Sequence, residues 1–156
     1  MLSRAVKFPA GVPMLKVLLP VDGSEASARA TAELIRMLPW YKEQPAIELL
    51  AVHLPVPRLP NMKVVVSDEA IERYYAEESD AMIAASCKAL DAAGVGYSVQ
   101  KLVGPVAETI VDHAKRSGAD MIVMGTRGMT ALSNMVMGSV ATRVLHLAHM
   151  PVVLIH

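Results

Sequence analysis

The residues best placed to do chemistry lie between Met121 and Ser139. The stretch reads Met-Ile-Val-Met-Gly-Thr-Arg-Gly, then nine residues, then Gly138-Ser139. Its apolar run is strand-like and ends at Gly125, and a helical run begins at Val140-Ala141-Thr142. Glycine lets backbone approach a ligand closely and adopt positive φ. A helix that starts after glycine presents N–H groups without intrahelical partners at the positive end of its dipole. Both properties suit anionic oxygen, so the stretch reads as a cradle for nucleotide phosphate. At a glycine frequency of ~7%, three glycines at fixed offsets arise by chance in roughly one chain in twenty. The place of the motif in the fold therefore matters more than the motif.

Other reactive side chains fit structural roles. His53 reads as a satisfied strand-end histidine. His113, His146 and His149 read as helix surface, because no cysteine or carboxylate completes a metal set around them. Cys87 stands among alanines and packs as a small residue. Glu77, Glu78 and Asp80 form a solvated face. Asp22, Ser24 and His53 have no G-x-S-x-G elbow to make them hydrolytic. Neither a G-x-x-x-x-G-K-[ST] loop nor a G-x-G-x-x-G turn after the first strand is present, which disfavours P-loop and dinucleotide enzymes.

The elements that must position the cradle follow from hydrophobic pattern and punctuation. Met14–Val21 is a buried strand, and Ser24 caps a helix that runs to about Leu38, with Pro39 after its end. Ala46–Leu54 is a second strand. Residues 55–66 hold Pro55, Pro57 and Pro60 and form a loop. Ser67 caps a long helix that reaches about Ala93 and ends at Gly94 and Gly96. Tyr97–Val103 alternates in polarity and reads as an edge strand. Gly104-Pro105 opens a third helix with proline at its first position, and Ser117-Gly118 ends it. Asp120–Met124 is a fourth strand. Val140, Val144 and Leu147 line a fourth helix, and Val152–Ile155 is the last strand.

Every strand-to-strand connection contains a helix, which requires parallel pairing and right-handed crossovers. The fold class is therefore α/β: an open, doubly wound, five-stranded parallel sheet in the order 3-2-1-4-5 with helices on both faces. In such sheets a ligand sits at the carboxyl ends of the strands, where the winding reverses. That point lies between strands one and four, at Pro20-Val21-Asp22 and Met124-Gly125. The glycine stretch is thus expected at the ligand site on grounds separate from its motif. The last strand is an apolar edge without a polar gatekeeper, and pairing with the same strand of a second copy would cover it.

Bulk properties set limits. The chain has 156 residues, with 53% hydrophobic and 19% charged. That fits one domain with a sheet buried on both faces. Residues 1–14 read as an N-terminal extension and 15–156 as the nucleotide-binding domain. Net charge is zero, so nucleic acid is not an expected partner. The apolar runs are too short to cross a membrane. One cysteine and no leader-like segment agree with a cytoplasmic place.

The motif Gly125-x-x-Gly128, nine residues, Gly138-Ser139 resembles the ATP-binding motif of the universal stress protein family. Lys16–Ser24, Val52-His53-Leu54, Ala119–Gly128 and Met150–Ile155 are similar to that family as well, so the resemblance covers residues 15–156. It implies that Pro20 and Val21 line the adenine and ribose end. Asp22 would contact ribose or help hold a phosphate-bound Mg²⁺, and Leu54 would flank adenine. Met124 and Gly125 would meet the nucleoside by backbone. Arg127, Gly128, Gly138, Ser139 and the Val140 N–H would hold phosphates. One departure stands out: the spacer Met-Thr-Ala-Leu-Ser-Asn-Met-Val-Met has no Lys or Arg, so Arg127 is the only cation of the cradle in sequence.

The expected function is an adenine-nucleotide-binding stress-response protein, with ATP (or ADP or AMP) and Mg²⁺ as ligands, acting as a sensor or switch through a homodimer made by residues 152–155. No general base stands near the phosphates, so the chain is expected to be no enzyme, or at most a slow ATPase. The alternative is a nucleotide-independent dimeric interaction module, favoured by the methionines of the spacer.

Overall fold

Val17, Leu18 and Leu19 are all 0% exposed, as a strand covered on both faces requires. They belong to β1 (Lys16–Pro20), the central strand of the sheet. The computed structural model describes residues 14–57, 67–128 and 137–156. Most of the N-terminal extension, the greater part of the proline-containing loop and nearly all of the methionine-rich spacer lie outside the described residues.

The remaining elements are α1 (Glu25–Met37), a 3-10 turn (Leu38–Trp40), β2 (Ala46–His53), α2 (Asp68–Ala92), β3 (Tyr97–Val103), α3 (Val106–Ser117), β4 (Met121–Gly125), α4 (Ser139–Leu147) and β5 (Val152–Ile155). All pairings are parallel, and the order is β3-β2-β1-β4-β5. This is the order expected from sequence. β3 and β5 are the edges.

Alternation along the strands splits the core in two. Val17, Leu19, Ile47, Leu49 and Val123 pack with Ala30 and Leu34 of α1 and Ile83 and Leu90 of α2. Leu18, Leu50, Val52, Ile122 and Met124 pack with Ile110 and Ala114 of α3 and Ala141 and Val144 of α4. Each fully buried Leu or Ile contributes about 1.5–3 kcal/mol relative to exposure.

Several boundaries shift, for local reasons. Pro105 has ψ 121°, which is not helical, so it stands at the N-cap of α3 rather than at the first helical position. Pro39 lies inside the 3-10 turn after α1. β4 begins one residue later than expected and includes Gly125, which pairs with Ile155. His53, not Leu54, closes β2. Among the described residues no helix is long and apolar enough to cross a membrane.

Candidate functional site

The carboxyl ends of β1 and β4 open onto a cavity of about 270 Å³. Pro20, Val21 and Asp22 enter its wall from β1 and the turn after it. Met124 and Gly125 enter from β4, Arg127 and Gly128 from the segment beyond it, and Gly138, Ser139 and Val140 from the start of α4. Residues separated by more than one hundred positions are thus brought together by the pairing of β1 with β4. Leu54 stands apart: its side chain is 66% exposed beyond the end of β2, and it does not line the cavity.

Six further residues complete the wall. Leu50 and Val52 come from β2, Val106 and Ile110 from α3, Ser27 from α1 and Ala141 from α4. Alternation along β2 puts residues 50 and 52 on the face toward α3 and α4, so a parity count from the strand could have found them. The α3 pair has no local sequence signal. The wall therefore divides into an apolar part, built by β2 and α3, and a polar part around Asp22, Arg127 and Ser139.

Close packing explains two glycines of the motif. A Cβ on Gly125 would lie 2.8 Å from the backbone carbonyl of Ala26, where the first turn of α1 crosses the end of β4. A Cβ on Gly128 would lie 2.9 Å from Asp22 Oδ2. Their role is approach, because the positive φ angles among the described glycines occur at Gly23, Gly94 and Gly118 instead.

The helix starts at the cavity differ in how they are finished. Ser24 caps α1: its hydroxyl accepts the Ser27 N–H at 3.1 Å, and Asp22 Oδ1 accepts the Ser24 N–H at 2.9 Å. Gly138 begins α4 without a side-chain cap. It is held from outside, its N–H donating to Thr126 O at 2.6 Å. Its carbonyl accepts both the N–H and the hydroxyl of Thr142, at 3.0 and 2.9 Å. The start of α4 is thus fixed in place beside Arg127, with no side-chain cap on it among the described residues, an arrangement that favours an anion. Arg127 Nε is buried without a hydrogen-bond partner among the described residues. An unsatisfied guanidinium N–H of this kind suits a charged acceptor such as a phosphate oxygen.

His53 is a structural histidine, as expected. It is buried, its Nε2 lies 2.8 Å from Ser79 Oγ, and its ring centroid is 5.7 Å from that of Tyr75. Burial lowers its pKa below the ordinary 6.5, while the Glu78 carboxylate pulls the other way. Burial pushes the Tyr97 hydroxyl up, with the neighbouring Cys87 and Asp91 adding to the effect. His113 departs from expectation. It faces inward, 3.4 Å from the buried carboxylate of Glu48, because it shares the inner side of α3 with Ile110. Glu48 also meets Lys16 Nζ at 3.0 Å. This group lies one strand step from Leu50, on the same face of β2, and does not enter the cavity wall. No group of three or more metal-ligating side chains occurs among the described residues.

The chain matches the profile of the universal stress protein family over residues 14–156. It is 34% identical over 141 residues to Universal stress protein MJ0531 of Methanocaldococcus jannaschii, covering 90% of this chain and 81% of that protein. Among solved structures, hypothetical protein MJ0577 aligns with a TM-score of 0.72 at 24% identity, over 92% of this chain and 96% of that one. Three other neighbours were solved with a ligand. A universal stress protein in complex with cAMP has a TM-score of 0.65 at 18% identity, covering 91% and 97%. One from Archaeoglobus fulgidus in complex with dAMP has 0.60 at 24%, covering 92% and 98%. One from Arabidopsis thaliana with AMP bound has 0.58 at 19%, covering 90% of each chain. A sheet of order 3-2-1-4-5, a glycine-lined cavity at its switch point and a family match over nearly the whole length lead to one conclusion: the chain belongs to the universal stress protein family.

Proposed function

We propose that the chain binds an adenine nucleotide in the cavity between β1 and β4 and acts as a nucleotide-dependent sensor or switch in the stress response. The observation that carries this reading is the externally fixed start of α4, which has no side-chain cap among the described residues, beside an Arg127 Nε that has no partner among them. The apolar wall of Val21, Val52, Val106 and Met124 offers a surface for a flat base, and the polar end offers donors for phosphate. The cAMP, dAMP and AMP held by structural neighbours support the same ligand class.

ATP with Mg²⁺ is the fullest occupant in this reading. Asp22 is the one carboxylate in the described wall. A hard cation there would take Asp22 as a ligand and draw its remaining oxygens from phosphate and water. The described wall contains no second carboxylate and no histidine to act as a general base, so turnover of ATP is slow or absent in this reading. Dimerisation belongs to the proposal too. β5 is an edge strand, and all four of its residues are part-exposed in the single chain. A second copy pairing along Val152–Ile155 would cover that edge.

Purified protein, denatured and examined for released nucleotide and then titrated with AMP and ATP by calorimetry, tests the reading. Saturable binding is expected, without phosphate release over hours. No released nucleotide and no heat up to millimolar ligand would leave a nucleotide-independent interaction module as the better account. Light scattering should give twice the chain mass, and a charge placed in β5 (Leu154→Lys) should give the monomer.

A further inference from the structure

One residue ties the phosphate end of the cavity to the last strand. Thr126 follows β4 directly. Its carbonyl accepts the Gly138 N–H at 2.6 Å, and its own N–H donates to Ile155 O at 2.9 Å. Its hydroxyl lies 3.3 Å from Nδ1 of His156, the residue after β5. The N–H and the carbonyl belong to the two rigid peptide planes that meet at the Thr126 Cα. Only φ and ψ of this residue therefore separate the hold on the start of α4 from the hold on the end of β5. A second link is apolar: Val152 and Leu154 of β5 pack on the core group that contains Ala141 and Val144 of α4.

β5 is built to respond. It has four residues, pairs with β4 alone among the described strands, and is part-exposed throughout. Short edge elements of this kind open locally before the whole fold does. β3, the other edge, pairs with β2 over seven residues and contributes no residue to the described cavity wall.

Resting on the nucleotide reading above, we propose that occupancy of the cavity and the seating of β5 are coupled through Thr126. An anion on the N–H groups of α4 holds Gly138, Gly138 holds the Thr126 peptide, and Thr126 holds β5. The ligand favours the state in which β5 is seated, because a seated β5 fixes Thr126 and, through it, the α4 start. Such coupling is reciprocal: whatever seats β5, a second copy pairing along it included, strengthens nucleotide binding by the same factor. Thr126 is thus a positioning residue that passes the state of the cavity to the edge of the sheet.

Amide hydrogen exchange of the full chain, with and without saturating AMP, reads the coupling, and calorimetry on the same sample establishes whether AMP binds. The β5 amides should exchange at least about fivefold more slowly with AMP, and those of β3 should stay within about twofold of the free chain. Ile155→Ala loosens β5 on the α1 side of the sheet, outside the cavity wall, and should weaken AMP binding at least about threefold. AMP bound with β5 exchange unchanged, or with β3 and β5 slowed alike, would overturn the coupling while leaving nucleotide binding intact. Ile155→Ala binding AMP as tightly as wild type would overturn it too. No binding of AMP would remove the nucleotide reading and this inference with it.

Discussion

Of the helices that start at the cavity, α1 and α4 are built for different purposes. α1 begins with Ser24, whose hydroxyl takes up the Ser27 N–H, and with Glu25 to complement the dipole. The Ser24 and Ser27 N–H groups are taken up within the protein, and Ser27 and Thr31 continue the pattern inward to Ser86 on α2. α4 begins with Gly138, which has no side chain to offer, and no acidic residue stands in its first turn. Position is supplied instead by Thr126, whose carbonyl accepts the Gly138 N–H and whose own N–H donates to Ile155 O. A helix start that supports the fold closes on itself. One that awaits an anion is fixed from outside and left open.

Substitutions at the two ends should therefore fail in different ways. The largest effect is expected at Gly138→Val. Its Cβ would press within 3.3 Å of Thr126 O and 3.4 Å of Arg127 Cα, and its methyls would occupy the anion seat. Nucleotide affinity should fall at least ~100-fold, which is about 2.7 kcal/mol, with the oligomeric state unchanged by light scattering. Retained binding would mean that the seat lies elsewhere. Next, Arg127→Gln removes a charge-assisted donor worth roughly 1.5–3 kcal/mol, so AMP should bind about ten- to a hundredfold more weakly by calorimetry. Thermal stability should change little.

The α1 end should show the reverse pattern. Ser24→Ala removes a cap and should cost about 1 kcal/mol in urea unfolding. Nucleotide affinity should stay within about twofold of wild type. A large loss of affinity with intact stability would erase the distinction between the two helix starts.

The smallest expected effect concerns pH and the end of β2. His53 is buried and neutral in the fold, with its pKa lowered by burial. Above about 6.5 the histidine is neutral in both folded and unfolded chains, and its contribution to stability is fully present. As pH falls below that value the unfolded chain takes up a proton that the folded chain resists, and stability declines until pH reaches the lowered folded value. Urea midpoints measured between pH 7.5 and 5 should fall with pH in wild type and fall less in His53→Gln. Equal slopes would show that other groups set the acid sensitivity.

The fold was legible because its signals are local. Apolar runs such as Lys16-Val17-Leu18-Leu19 have strand length, and serines at 24 and 67 mark helix starts. The polar alternation of Tyr97–Val103 marked an edge, and an edge it is. The polar half of the candidate site was legible too, because a glycine motif and a switch point coincided at Gly125 and Asp22. The apolar half was not. Val106 and Ile110 reach the cavity only through the packing of α3 over β2, and nothing in their own neighbourhood distinguishes them from core. Glu48 was missed for the same reason. Its partners Lys16 and His113 are distant in sequence, and only the sheet and α3 bring them within 3.0 and 3.4 Å. Pairings of that kind are products of tertiary structure and leave no periodicity to read.

The central claim is that an adenine nucleotide sits between β1 and β4 with its phosphate on the start of α4. Backbone amide NMR during titration with AMP tests it most directly. The account predicts saturable shifts concentrated at Val21–Asp22, Gly125–Gly128 and Ser139–Ala141, with α2 and β3 nearly silent. Saturable shifts centred elsewhere, or none at millimolar AMP, would contradict it.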